Sequence, residues 1–454
     1  LLARRGGLRS AFKSAVKSGD AGSLSIRRRA QANVNFMPTI SRLCLLFSLL
    51  LAAPAGASTP ELLAKGEYLA RAGDCIVCHT GPGEKPFSGG LKMATPLGAI
   101  ITTNITPDKA TGIGDYTFPD FERAMREGIA RDGHRLYPAM PYPSYSHVSE
   151  DDLRALYAFF MEQVNPVNRP NSPNPIKWPL NIRWPIAIWD GVFTDRVGFQ
   201  PDSSQSAAWN RGAYLVQGLG HCGACHTPRG IFFEEKGLDQ RKNTYLAGAS
   251  LDDWFASSLR GDKASGLSSW SEADIAQFLK TGHNGHASAF GTMIDAVNNS
   301  TQYFSDDDLT AIATYLKSLP GNESPQALAA ASPNARGGRL YLQQCADCHQ
   351  ADGAGHAPYI APLAGNPALS DADPASLINI TLNGSSRIVV DGMPDAYRMP
   401  EFRVLLKDDQ IADIATFLRQ SWGAKGAPVT PDQVAKIRKS SDPASDAVVV
   451  LRMR

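Results

Sequence analysis

Two cysteines and a histidine crowd into five positions of the stretch GDCIVCHTG, residues 73–81. The same arrangement returns as GHCGACHTP at residues 220–228 and as QQCADCHQA at residues 343–351. Thiol and imidazole at this spacing can serve a zinc clip, a redox dithiol or the anchor of a larger group. A zinc ribbon needs a second ligand pair near each CxxC, and none is present. A thioredoxin-like dithiol does not require the histidine, and a single redox site would not be triplicated. Six of the seven cysteines fall in these three pairs; the seventh, Cys44, opens an apolar run near the N-terminus.

Covalent haem accounts for every one of these positions. Cys75 and Cys78, Cys222 and Cys225, and Cys345 and Cys348 would form thioethers to the haem vinyls. His79, His226 and His349 would reach back to the iron as proximal ligands. Metal and disulfide readings stand beside this one, since an even cysteine count in an exported chain also permits a disulfide framework.

A six-coordinate electron carrier needs a second axial ligand, and methionine sulfur is a soft one that favours ferrous iron. Met140 in LYPAMPYP is the first candidate, because Pro138 and Pro141 stiffen a non-helical loop around it. Met93, Met125 and Met161 read better as gap-filling core residues. Met293 is the only methionine of the second repeat; His283 and His286 are its rivals, read as solvated loop residues. The third repeat offers Met393 and Met399. Met399 is favoured because it precedes its closing helix by eight residues, close to the nine that separate Met140 from Ser149.

The elements that must hold these groups repeat too. KGEYLARAGD, RGAYLVQGLGH and RGGRLYLQQ precede the three motifs, with Gly66, Gly212 and Gly338 near their starts. SEDDLRALYAFF, SDDDLTAIATYL and KDDQIADIATFL close the repeats and align without gaps. Leu153, Leu309 and Ile411, then Leu156, Ile312 and Ile414, then Phe159, Tyr315 and Phe417 share positions along one helix side. Ser149 and Ser305 are expected N-caps, whereas Lys407 leaves the third cap open. The expected fold is all-α: three small tandem domains, each with its first and last helices packed together and a haem filling a core too small to stand alone.

The expected boundaries are 58–164, 208–319 and 338–422 for the domains, 165–207 and 320–337 for Pro/Gly/Asn-rich linkers, and 423–454 for a tail. The tail sequence TPDQVAKIRKS carries a cap, a first-turn proline and a capping-box partner. Residues 165–193 are too rich in Pro and Asn for a regular helix. Their Trp178, Trp184 and Trp189 are expected to pack between the first two domains, with docking to a partner or a membrane as the alternative.

Residues 1–57 read as address. Met37 opens MPTISRLCLLFSLLLAAPAGAS, in which Arg42 is the positive region, 43–53 the apolar region and Ala55-Gly56-Ala57 the cleavage site. Residues 1–36 read as sequence upstream of the true start. The chain holds 45 Lys/Arg and 44 Asp/Glu; residues 1–57 take nine and one of these, which leaves 36 basic against 43 acidic and a net charge of −7. An acidic mature chain has no basic footprint for nucleic acid. There is also no nucleotide-binding glycine fingerprint after a strand and no serine nucleophile elbow.

Over residues 60–425 the chain resembles the triple-haem cytochrome c subunits of bacterial membrane-associated alcohol, gluconate, sugar and aldehyde dehydrogenases. The resemblance rests on DCIVCHT, TNITPDKATGIGDYTFPDFERAMREG, YPAMPY, HCGACHTPRG, GLSSWSEADIAQFLKTG and MPEFRVLLKDDQIADIATFLRQSWG. It implies class I-like cytochrome c domains, with Met140, Met293 and Met399 completing the three haem irons. It also implies an electron-transfer subunit taking electrons from a separate catalytic subunit that carries flavin, pyrroloquinoline quinone or molybdenum cofactor. Ubiquinone or a terminal oxidase would receive them. The expected location is periplasmic, peripheral on the outer face of the cytoplasmic membrane. Some relatives anchor through C-terminal hydrophobic or amphipathic segments; this tail ends DAVVVLRMR and points instead to attachment through partners. The alternatives are a multihaem peroxidase-like enzyme, which would leave one iron five-coordinate, and a cytochrome c subunit of a terminal oxidase complex.

Overall fold

The computed structural model describes residues 58–95, 97–195, 197–322 and 334–442. The export signal, Cys44 and the final DAVVVLRMR lie outside the described residues.

Three successive segments share an opening helix, a one-turn helix and a later helix packed on the first, but the third places its hairpin after its next helix and not before it. The first runs α1 (Pro60–Ala72), α2 (Cys75–Cys78), β1 (Lys92–Thr95), β2 (Gly98–Ile101), α3 (Phe118–Glu127), α4 (Tyr142–Tyr145) and α5 (Glu150–Glu162). A connecting helix, α6 (Ile186–Phe193), follows. The second runs α7 (Ala207–Gln217), α8 (Gly223–His226), β3 (Ala249–Leu251), β4 (Trp254–Ala256), α9 (Glu272–Thr281), α10 (Thr292–Asn299) and α11 (Asp306–Ser318). The third runs α12 (Ala335–Gln344), α13 (Ala346–His349), α14 (Ala375–Asn383), β5 (Val389–Val390), β6 (Met393–Pro394), α15 (Asp408–Arg419) and α16 (Pro431–Ser440).

Capping chemistry starts the long helices. Thr59, Ser206 and Asn334 accept from the backbone N–H of Leu62, Trp209 and Gly337 at the heads of α1, α7 and α12. Ser149 and Ser305 cap α5 and α11 as expected. Lys407 has no capping oxygen, and the Gln410 side chain instead accepts from the Lys407 backbone N–H at 3.0 Å.

In each segment the first helix crosses the last at a glycine. A Cβ on Gly66 would lie 2.1 Å from the Ala155 carbonyl oxygen, and one on Gly212 would lie 2.0 Å from that of Ala311. The third crossing uses Gly337, whose Cβ would meet the Asp413 carbonyl at 2.0 Å, not Gly338 as the alignment suggested. The aligned residues of the closing helices face inward: Leu153, Leu309, Ile411, Leu156, Ile312 and Ile414 are all buried.

The molecule is largely helical, as expected, and among the described residues three short two-stranded antiparallel hairpins interrupt the helices: β1–β2, β3–β4 and β5–β6. Asp252 and Asp253, both with positive φ, close the second hairpin, and Asp391-Gly392 closes the third. Such turns match the twist of the strands they join. The segment 165–193 does contain a helix, α6, since no proline follows Pro185 there. The capping signals of TPDQVAKIRKS do start a helix, α16, with Thr430 and Gln433 forming the capping box, and its Val434 and Ile437 are buried in the third core beside Tyr341 and Ile411.

The first two segments share one apolar core, with Leu69 and Leu156 from one and Leu215 and Ile312 from the other. Their contact is reciprocal. Tyr68 on α1 donates its hydroxyl to Asp308 on α11, while Tyr214 on α7 donates to Asp152 on α5. Each tyrosine oxygen also accepts a backbone N–H from the opposite helix cap, Ser305 at 3.3 Å and Ser149 at 3.1 Å. Arg211 pairs with Asp308 at 2.7 Å and Lys65 with Asp152 at 2.6 Å. Equivalent residues exchanging equivalent contacts make this an isologous interface within a single chain. The third segment docks on the second through polar bonds, Ser376 Oγ to the Phe255 carbonyl at 2.9 Å and Asn379 Nδ2 to that of Asp253 at 3.0 Å. Ile294, Val297 and Ile388 form a small apolar cluster between the same two segments.

Candidate haem centres

Each CxxCH forms one helical turn, and each histidine ring is held in the same way. His79 Nδ1 lies 2.7 Å from the Thr103 carbonyl oxygen, His226 Nδ1 2.7 Å from that of Ser257, and His349 Nδ1 3.0 Å from that of Ala361. A carbonyl only accepts, so Nδ1 carries the proton and Nε2 keeps its lone pair. That is the tautomer an iron ligand requires, with a backbone oxygen fixing the ring. Thr103 and Ser257 sit just beyond β2 and β4, so the hairpins missed in the sequence aim the first two imidazoles. The one sequence signal was the Asp252-Asp253 turn.

Burial holds all three imidazoles below their ordinary pKa, against the opposing effect of the carbonyl bond, and so keeps them neutral. Burial also pushes the thiols of Cys75, Cys78, Cys222 and Cys345 up to about 12, and that of Cys225 to about 11. Thiols this reluctant to ionise do not suit a redox dithiol. None of the six forms a disulfide, and no cluster of His, Cys, Asp and Glu among the described residues could hold a metal ion.

The first two sites open into one continuous cavity of about 1450 Å³. Cys75, Cys78, His79 and Met140 line one part, and Cys222, Cys225, His226 and Met293 another. Its walls are mostly apolar, with Ile105, Phe121, Trp254 and Leu316 among them. Met140 is held in a tight turn, its N–H on the Tyr137 carbonyl at 3.1 Å and its own carbonyl taking the Tyr142 N–H at 2.8 Å. Met93 on β1 and Met125 on α3 border the same cavity, and Met125 also packs into the core. Met293 lies in the first turn of α10, behind Gly291, whose φ of +55° allows the sharp entry. Its rivals are occupied elsewhere. His283 is buried rather than solvated, with Nε2 2.6 Å from Asp395 and Nδ1 2.9 Å from Ser288, and His286 stacks on Trp270.

Cys345, Cys348 and His349 stand apart, outside that cavity. Met399 is half-buried, its backbone exchanging bonds with Ser385, whereas Met393 lies on β6 with 74 % of its surface exposed. Sequence reasoning also missed two carboxyls that border the shared cavity. Burial, aided by Asp295, raises Asp74 well above the usual range, and burial raises Glu235 to about 7.

The cysteine pairs, neutral imidazoles with free Nε2 and a large apolar cavity fit covalent haem. The third segment matches the cytochrome c family model over residues 334–422, so the site class is that of a c-type cytochrome. The chain is 50 % identical over 395 residues to the gluconate 2-dehydrogenase cytochrome c subunit of Pantoea cypripedii, covering 83 % of this chain and 90 % of that one. It is 45 % identical over 432 residues to the cytochrome c subunit of the alcohol dehydrogenase (quinone) of Gluconacetobacter polyoxogenes, covering 90 % and 92 %. It is 38 % identical over 421 residues to the fructose dehydrogenase cytochrome subunit of Gluconobacter japonicus, covering 85 % and 84 %. The chain therefore belongs to the family of cytochrome c subunits of membrane dehydrogenases, and its function is electron transfer alongside a catalytic dehydrogenase subunit.

Proposed function

We propose that the chain carries three covalent haems, one on each CxxCH, with Met140, Met293 and Met399 as sixth ligands. The observation that supports this most is the recurrence, at all three motifs, of a histidine whose Nδ1 is engaged by a backbone carbonyl. Bound haem supplies the one-electron carrier. The residues do the rest: cysteines fix the group covalently, Nε2 of each histidine presents a neutral donor, and methionine sulfur raises the potential. The apolar walls keep water away, which restrains the reorganisation that accompanies a change of charge.

The donor is a catalytic subunit bearing flavin, pyrroloquinoline quinone or molybdenum cofactor, and the acceptor is ubiquinone or a terminal oxidase. The word quinone in the name of one relative supports the first acceptor. The mature protein is exported and lies peripherally on the outer face of the cytoplasmic membrane. Reconstitution with the dehydrogenase encoded nearby tests this reading. Substrate should reduce every haem anaerobically, and a denatured-protein haem count should give three per chain. Haems that stay oxidised while dyes report an active dehydrogenase would reject the pairing, and a count of one or none would reject the haem assignment.

A further inference from the structure

The connection between the first two segments leaves an apolar face uncovered. Trp178 is 78 % exposed and Trp184 68 % exposed, which overturns the expectation that they pack between domains. Trp184, just ahead of α6, and Ile188 and Val192 within it stand four residues apart and are all exposed. The inward stripe holds the only charge of this helix. Asp190 is buried, its carboxylate taking the Arg135 guanidinium at 2.5 Å and the Tyr142 hydroxyl at 2.6 Å. A second stretch joins the face: Trp189 Nε1 donates to the Phe232 carbonyl at 2.9 Å, the Phe193 ring lies 6.0 Å from that of Phe232, and Ile231 beyond them is 85 % exposed.

A helix apolar all round is stable only when something apolar covers its second side. Trp178, Trp184 and Ile231 stand out from two separate stretches and line no part of the shared cavity. Isolated tryptophan, isoleucine and phenylalanine tips suit a fluid surface that moulds round them, and tryptophan prefers the level of lipid headgroups. The flanking charge agrees. With Asp190 consumed inside, the ionised groups of residues 165–193 are Arg169, Lys177 and Arg183, on a chain whose residues 58–454 are acidic overall. Arg169 is paired with Glu84 and Arg183 lies over the Tyr137 ring, which leaves Lys177 as the exposed cation beside Trp178. On the second stretch Lys236 is exposed, while the Glu234 carboxylate takes the Phe232 N–H.

We propose that this face, Trp178 to Val192 with Ile231 and Phe232, is where the protein lies on an anionic lipid surface. The proposal rests on the reading of the chain as a subunit of a membrane dehydrogenase and names the surface that meets the bilayer. No helix among the described residues is long and apolar enough to cross a membrane, so these residues lie on it and do not span it. The placement has a consequence. Leu180, Ile182, Ile188, Val192 and Phe232 border both this face and the cavity shared by the first two sites. A protein lying on this face therefore holds the cavity mouth toward the lipid, where an acceptor dissolved in the bilayer can approach.

Flotation of the haem-loaded mature protein with vesicles of phosphatidylethanolamine and phosphatidylglycerol tests this directly. Trp178, Trp184 and Ile231 do not line the cavity, so replacing all three with Ser leaves the sites intact. The triple variant should partition into vesicles on the order of tenfold less than wild type or weaker. Its haem content, and its reduction by the dehydrogenase in lipid-free solution, should be unchanged; that second readout also separates this proposal from the electron-transfer reading. Lys177→Glu alone should weaken binding to the anionic vesicles and not to phosphatidylcholine ones, a check that survives if the triple variant fails to fold. Equal flotation of wild type and the triple variant would overturn the proposal, as would no flotation of wild type. A variant that floats normally but loses the dehydrogenase would overturn it in favour of a protein–protein surface.

Discussion

At the scale of single residues, the cysteines and histidines proposed to hold haem stand out in the sequence because covalent attachment demands a fixed spacing along the chain. The methionines proposed as sixth ligands stand out less, since such a ligand is set by how a distant loop folds back. For the third motif the two candidates differ in burial, which favours the proposed Met399: Met393 projects from a hairpin into solvent, whereas Met399 is tied to Ser385 and half-buried. Met399→Leu should therefore abolish the sulfur-to-iron charge-transfer band of one haem, and Met393→Leu should leave all bands in place; the reverse result would move the ligand to Met393. Met140→His should lower the potential of the first site, since imidazole favours ferric iron more than a thioether does. Redox titration of that variant gives the answer. What the sequence could not show at this scale is the partner of each histidine. Thr103, Ser257 and Ala361 contribute backbone oxygens, so their side-chain types carry no trace of the role.

At the scale of elements, the closing helices were legible to the residue, because Ser149, Ser305 and the inward Leu and Ile positions obey capping and helical period. The opening helices were legible except for one register. Two adjacent glycines, Gly337 and Gly338, fit the pattern equally, and only the crossing chooses between them. A methyl on Gly337 would collide with the Asp413 carbonyl, while one on Gly338 would meet the Phe417 ring edge at 3.1 Å, which can swing away. Gly337→Ala should therefore destabilise by about 1–3 kcal/mol in chemical denaturation, with Gly338→Ala costing clearly less. The isologous fastening was not legible, because Tyr68 and Tyr214 look like ordinary core aromatics. It also has a pH signature. Burial alone would raise the Asp308 carboxyl, but bonds from Arg211 and Tyr68 outweigh it and hold the carboxyl below its ordinary value. A depressed carboxyl stabilises above the unfolded-state value and loses that stabilisation as pH falls through the folded value. Asp308→Asn should thus be less stable than wild type at neutral pH, and the gap should narrow as the solution becomes acidic. A constant gap across that window would mean that the carboxylate charge contributes nothing.

At the scale of the whole molecule, three repeats in a row suggest three tandem domains joined by linkers, and the structure packs the three segments unequally. The first two segments share a core and a cavity, while the third has its own core and meets the second through serine and asparagine bonds and one small apolar cluster. Nothing in a repeat pattern distinguishes these cases, because the residues that join segments differ in kind from those that build each one. The inequality has an electrical consequence. Charge added in a shared apolar cavity is poorly screened, so a change of oxidation state at one site is felt at its neighbour far more than across bulk solvent. The third site, outside that cavity, should feel much less. A variant that shifts the second site measures this. Met293→His should lower the second potential so that this site stays oxidised longer during a reductive titration. The first site, then titrating beside an oxidised neighbour, should reduce at a higher potential than in wild type. The third should titrate where it did before, and raising the salt concentration should leave the first shift largely intact because ions do not enter the cavity. Potentials of the first and third sites moving equally, or not at all, would show that the shared cavity does not couple the sites.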